Sequence, residues 1–102
     1  MKKVETDEIA YFFAQDKNVL FTTTNNQTYP ADYTLDALET LLDPAVFFRI
    51  NRKFLVNMDS IAGMTAYSRG RIKLDLKPAP VSAEDTIVSI ERSGDFRKWV
   101  DR

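Results

Sequence analysis

A length of 102 residues suits one folded domain, and a 44% apolar content with 12% aromatic residues is typical of a globular protein rather than a disordered chain. The chain has no cysteine or histidine, which excludes disulfides and thiolate zinc sites and removes the commonest general base. The net charge is −1, yet six basic residues and one acid, Asp59, lie between Arg49 and Lys73.

That uneven charge has two interpretations. It indicates a local positive surface on a nearly neutral protein, or simply solvated strand faces that carry Arg and Lys. No apolar run approaches the ~20 residues that span a bilayer, and no signal-peptide pattern opens the chain, so we expect a cytoplasmic protein without membrane contact.

The first third of the chain predicts short antiparallel strands. Apolar, β-branched and aromatic residues favour strands at 9–13, 19–24 and 28–31, with polar turns between them. Thr34 then caps a short helix that ends before Pro44. Four leucines follow the cap at helical spacing, and we interpret this stripe as core: Leu35, Leu38, Leu41 and Leu42.

Residues 47–61, FFRINRKFLVNMDSI, are called the signature stretch below. Read as one strand, the stretch alternates between an apolar face, interrupted by Arg52, and a polar face. The apolar face holds Phe48, Ile50, Phe54, Val56 and Met58. The polar face holds Arg49, Asn51, Lys53 and Asn57. A strand of this length exceeds the usual ~5–6 residues, so we predict a break at 51–53 that brings the basic residues to an edge.

The remaining residues continue the β-rich pattern. Strands are predicted at 61–67, 71–76 and 87–88, a loop at 77–86, and a helix at 90–100 with Phe96 and Trp99 on one face. Arg92 lies near the positive end of this helix dipole, which hints at an anionic partner. The predicted fold class is mostly β, with one short mid-chain helix and a C-terminal helix, in a single domain over 1–102.

Residue chemistry argues against catalysis. The three glycines are scattered, which excludes a phosphate-cradling loop, and no calcium-loop spacing occurs. The acidic pairs at 7–8 and 84–85 fall in predicted loops and are interpreted as solvated surface. We therefore expect a protein that is not an enzyme and has no cofactor or metal. Arg, Lys and Asn side chains on a β scaffold suit phosphates and base edges.

The signature stretch resembles that of LytTR (LytR/AlgR-type) DNA-binding domains, which runs roughly F-x-R-i-H-R-S-y-l-V-N-l-x-x-I. Residues 9–19 resemble the first hairpin of the family, residues 33–42 its helix, and residues 88–99 its closing v-S-x-x-R segment and C-terminal helix. The resemblance covers nearly the whole chain in order. Asn51 and Lys53 depart from the frequent histidine and serine, but both remain polar donors.

This resemblance implies an elongated stack of small antiparallel sheets whose loops enter successive major grooves of duplex DNA. The implied DNA-binding residues are Lys17, Asn18, Arg49, Asn51, Arg52, Lys53, Asn57, Ser89 and Arg92. Lys17, Asn18 and Arg92 are the expected base readers. Phosphate contacts are expected from Arg49, Arg52 and Lys53, and also from Ser89.

Family members usually form the C-terminal output domain of a transcriptional response regulator. The resemblance therefore implies an upstream receiver domain, a sensor histidine kinase and binding to direct repeats, and it suggests that this chain is an excised, monomeric domain. For two single residues, an alternative without DNA contact remains open. In it, Asn57 has the structural role of capping the turn at 58–60, and Lys17 is an ordinary surface lysine of a turn. For the whole chain, the alternative is a protein-interaction β module that does not bind DNA.

Overall fold

The computed structural model describes residues 5–101, so residues 1–4 and 102 of the predicted domain lie outside the described residues. Among the described residues, eight strands and two α-helices follow one another in the order predicted. Their bounds are β1 Ile9–Gln15, β2 Asn18–Thr23, β3 Thr28–Pro30, α1 Leu35–Leu41, β4 Phe47–Arg49, β5 Phe54–Asn57, β6 Ile61–Ala66, β7 Ile72–Leu76, β8 Ile87–Val88 and α2 Ile90–Val100.

The strands form two antiparallel sheets. The first has the order β3-β2-β1-β5-β4, and the second has the order β6-β7-β8. Strand β1 pairs with β2 on one side and with β5 on the other, so the signature stretch joins the first hairpin through Tyr11 opposite Val56. The molecule measures 44 × 26 × 24 Å. The predicted elongated, mostly β fold with two helices is confirmed.

Apolar side chains cover both faces of the five-stranded sheet. Tyr11 and Phe54 belong to one core cluster, together with residues of β7, β8 and α2. Phe12 and Leu55, their neighbours in the chain, belong to a second cluster with Leu35 and other residues near α1. Alternation along β1 and β5 sends successive side chains to opposite faces. A central strand of this sheet therefore has no solvated face.

The break predicted inside the signature stretch is present, because β4 ends at Arg49 and β5 begins at Phe54. Thr34 caps α1 as predicted, with its Oγ1 accepting a hydrogen bond from the Ala37 amide at 3.1 Å. The prediction that all four leucines belong to the core was wrong for Leu41, which is 63% exposed at the last turn of α1. The buried residues of α1 are Leu35 and Leu38.

The β1–β2 turn and the loop before β8 are both anchored to the first sheet. Asp16 adopts φ 57° at the turn, a left-handed conformation that Asp tolerates better than most residues. The buried Tyr11 hydroxyl donates to the Pro78 carbonyl at 3.0 Å, and burial raises the pKa of Tyr11 above its ordinary value.

No helix among residues 5–101 has the length and apolarity needed to cross a membrane.

Candidate nucleic-acid interface

Asn51 shapes the loop between β4 and β5. Its Oδ1 accepts hydrogen bonds from the amides of Lys53 at 2.7 Å and Phe54 at 3.0 Å. Its Nδ2 donates to the carbonyls of Asp85 and Ile87, both at 2.8 Å. Two donors and two acceptor positions are the full capacity of an amide side chain. Asn51 therefore joins this loop to the segment that leads into β8, and the free domain leaves it no spare hydrogen bond.

Arg49 supports the same loop from the side of α1. The side chain is only 9% exposed, and all three guanidinium nitrogens donate hydrogen bonds. Nε donates to the Asn51 carbonyl at 2.7 Å, and Nη2 donates to the Arg52 carbonyl at 3.0 Å. Nη1 lies 2.9 Å from Asp36 Oδ1 and 3.3 Å from Glu39 Oε1. The polar face predicted for the signature stretch is thus covered by α1 at this point.

An open cleft of about 520 Å³ lies between this loop, the segment before β8 and the N-terminus of α2, and it is called the α2 cleft below. Five of the nine predicted DNA-binding residues line it: Asn51, Arg52, Lys53, Ser89 and Arg92. They come from two parts of the chain more than thirty residues apart. The family resemblance implied a DNA contact for each of these residues separately, and the fold brings all five together at one cleft.

Three side chains of the α2 cleft keep hydrogen-bond donors that the described residues do not use. Arg52 is exposed, and its side chain makes no hydrogen bond or ion pair within residues 5–101. Lys53 is 60% exposed, with Nζ 3.4 Å from Asp85 Oδ2, a distance typical of a weak surface pair. Ser89 precedes α2 as its N-cap, yet its buried Oγ has no hydrogen-bond partner in the described structure. A serine at a helix N-terminus is suited to an anionic oxygen.

Arg92 lies in the first turn of α2 and is 37% exposed. Its Nη1 donates to the Arg49 carbonyl at 3.2 Å and lies 3.5 Å from Glu39 Oε2. The unfavourable position of Arg92 near the positive end of the helix dipole is therefore offset by the carboxylate of Glu39. Sequence reasoning missed Glu39 and Asp36 because α1 was interpreted only as core. Their i, i+3 spacing on its polar face was the available signal.

The remaining predicted residues lie apart from the α2 cleft. Lys17 and Asn18 are exposed at the β1–β2 turn; Asp16 of that turn lines a smaller hollow together with Lys53, which also lines the cleft. Asn57 is 3% exposed; its Oδ1 accepts from the Asp59 amide at 2.9 Å, and its Nδ2 donates to the Ile9 carbonyl at 3.0 Å. The capping role considered for Asn57 is present in the structure.

The charges of the α2 cleft nearly balance. Four basic residues line it, among them Arg71, which was not predicted, and three acids face them: Glu84, Asp85 and Glu91. Arg71 is held by Ser68, through Nη2 at 2.6 Å from Oγ, and its guanidinium lies 4.9 Å from the Tyr67 ring centroid. Within residues 5–101, no group of three or more acidic side chains is arranged to hold a metal ion.

A mostly β domain with Arg, Lys and Ser donors gathered at a helix N-terminus has the features of a nucleic-acid-binding module. The family model of the LytTr DNA-binding domain matches residues 1–101. The chain belongs to the LytTR family of DNA-binding domains, which confirms the resemblance of the signature stretch and favours DNA binding over a DNA-independent interaction module.

One solved structure is similar over most of its length. It is the LytTr DNA-binding domain of a Bacillus cereus protein described as a methyl-accepting/DNA response regulator. The two chains are 25% identical and superpose with a TM-score of 0.82, covering 97% of this chain and 86% of the other. No curated protein matches the chain significantly.

Proposed function

We propose that this chain is one domain that binds duplex DNA sequence-specifically as the output module of a transcriptional response regulator. The observation that carries the proposal is the α2 cleft, where Arg52, Lys53, Ser89 and Arg92 converge. These side chains retain donors that the described residues do not use. Family membership supports DNA as the ligand, and the Bacillus cereus relative supports the response-regulator context.

The contacts of the free domain suggest how the predicted residues divide their roles. We assign phosphate contacts to Arg52, Lys53 and Ser89, and base contacts to Arg92 and to Lys17 with Asn18 at the exposed turn. The other three predicted residues already make hydrogen bonds within the chain through both ends of their polar groups: Arg49, Asn51 and Asn57. We propose that these three hold the loop backbones in place beneath the DNA rather than contact it.

The dimensions of the molecule support contact with more than one groove. Its long axis is 44 Å, whereas one turn of B-DNA extends about 34–36 Å. Lys53 lines both the α2 cleft and the smaller hollow beside the β1–β2 turn, and we propose that the turn and the cleft are two insertion points on one surface. In this arrangement each loop enters its own major groove, and the phosphate contacts between them set the register.

The wider assignment follows from the family. We propose that a receiver domain controlled by a sensor histidine kinase regulates this module in the bacterial cytoplasm, and that two copies bind direct repeats. The isolated domain is proposed to be a monomer.

The direct test is a fluorescence-anisotropy titration of labelled duplex DNA at several salt concentrations, with target sequences selected from a random pool. Phosphate contacts from Arg52 and Lys53 predict a slope of log K against log salt of about −2, since each phosphate neutralised contributes about −0.9. A slope near zero, or equal retention of every sequence, contradicts the proposal. Recovered repeats about one helical turn apart support the paired site.

Two alanine variants separate positioning from base reading. Arg52→Ala should weaken binding to all duplexes alike and reduce the salt slope by about 1, because Arg52 is assigned to a phosphate. Arg92→Ala should also relax the preference at one base pair, by about 1–3 kcal/mol. Lys98→Ala is the matched control, since Lys98 is exposed on the last turn of α2 and does not line the cleft. Equal losses on selected and random DNA for both test variants contradict the assignment.

A further inference from the structure

Glu39 connects two arginines that lie 43 residues apart in the chain. Its Oε1 lies 3.3 Å from Arg49 Nη1, and its Oε2 lies 3.5 Å from Arg92 Nη1. Each carboxylate oxygen thus faces a different guanidinium. Glu39 projects from α1, an element outside the α2 cleft, and its side chain is partly exposed.

The contacts of Arg92 all fall on one nitrogen. Nη1 meets both Glu39 and the Arg49 carbonyl, whereas Nε and Nη2 have no partner within the described residues. Arg49 differs, because Nε, Nη1 and Nη2 are all occupied. An arginine held at one end keeps its other edge free, and two parallel N–H donors on that edge match the O6 and N7 acceptors of guanine.

We propose that Glu39 is a positioning residue for base recognition, acting by holding the Arg92 guanidinium in the orientation that presents its Nε–Nη2 edge to DNA. The inference rests on the proposed function. Ordering a long side chain before binding lowers the entropy lost when it meets a base. A competing role, in which Glu39 withholds Arg92 from DNA, requires the acid to occupy the donor edge. Here the acid occupies only Nη1.

The experiment compares Glu39→Ala with Asp36→Ala on selected and random duplexes. Asp36 is the matched control, because its removal deletes the same charge from the same helix and a contact to Arg49 but none to Arg92. Glu39→Ala should reduce the ratio of selected to random affinity by about two- to fivefold, the range expected for an exposed ion pair. Its affinity for random DNA should not fall, since a negative charge near phosphates is removed. Asp36→Ala should leave the ratio unchanged.

A double variant identifies the arginine through which Glu39 acts. In the Arg92→Ala background, Glu39→Ala should produce no further loss of discrimination, because the side chain that it positions is absent. A fall of equal size in Asp36→Ala, an unchanged ratio in Glu39→Ala, or a full additional loss in the double variant each overturns the inference. An increased ratio in Glu39→Ala overturns it in favour of the competing role. Thermal unfolding of every variant is measured alongside the titrations, to show that each variant folds. Folding is expected, because Ala at an exposed position favours a helix.

These outcomes are distinct from failure of DNA binding itself. If the unmodified domain retains no duplex at low salt, the proposed function fails and the inference fails with it. If the unmodified domain discriminates between sequences and Glu39→Ala discriminates equally well, only the positioning role is lost.

Discussion

Arg49 and Arg52 lie three residues apart in the signature stretch and have opposite surroundings. Arg49 is buried and donates to two carbonyls and two carboxylates, while Arg52 is exposed without a partner in the described residues. The same residue type therefore serves two purposes in one motif. The buried arginine stabilises the loop backbone, and the exposed one is available to a phosphate.

This difference predicts opposite effects on stability. Arg49→Met should lower the free energy of unfolding by about 2–4 kcal/mol, because the carbonyls of Asn51 and Arg52 lose their donors in a buried site. Arg52→Met should change it by no more than about 0.5 kcal/mol. Urea denaturation followed by circular dichroism measures both. Similar losses for the two variants contradict the division of roles.

The loop between β4 and β5 is held mainly by side chains, together with one backbone hydrogen bond across it from the Ile50 amide to the Phe54 carbonyl at 3.1 Å. Asn51 binds two amides within the loop and two carbonyls before and within β8. Helix α1 contributes in a similar way, with an apolar face in the core and Asp36 and Glu39 on its polar face. The Asn51 side chain and α1 therefore both help to position the α2 cleft without contributing a free donor to it.

Removing the Asn51 side chain should loosen the loop locally. In Asn51→Ala, the amides of Lys53 and Phe54 should exchange with solvent about tenfold faster, because each loses its acceptor. Hydrogen exchange measured by NMR tests this. Amides of the β1–β2 pairing serve as the internal control, and uniform acceleration there indicates global destabilisation instead.

At the scale of the whole molecule, the two apolar clusters share the strands β1 and β5. Side chains of these strands alternate between the cluster that includes β7, β8 and α2 and the cluster that includes α1. Damage to one cluster therefore acts on strands that also support the other. This coupling favours unfolding in a single cooperative transition.

Leu38→Ala tests that coupling, because Leu38 is buried in the cluster near α1. The variant should lose about 2–5 kcal/mol of stability with an unchanged denaturant slope. Fluorescence of Trp99, which lies in the other cluster, should report the same midpoint as circular dichroism. Leu41→Ala is the control on the same helix, since Leu41 is exposed and should change stability little. Separate midpoints for the two probes contradict the coupling.

Apolar periodicity in the sequence determined the order of strands and helices, and the usual length of a strand predicted the break at residues 51–53. The Thr34 cap and the strand that forms β7 followed from local rules as well, because capping and strand alternation act over a few neighbours. Family membership was visible for the same reason, since the signature stretch is contiguous. The exposure of Leu41 was missed, because periodicity identifies a face of the helix and does not say which of its positions the rest of the chain covers.

Only the tertiary structure decided which polar residues of the signature stretch remain free. The carboxylate partners of Arg49 lie 10 and 13 residues away on α1, and the carbonyl partners of Asn51 lie 34 and 36 residues away before and within β8. A buried polar group is stable only when it is hydrogen bonded, and no local pattern reveals partners so distant in the chain. The sequence identified a polar strand, and the fold divided its residues into those that support the backbone and those that are free to bind.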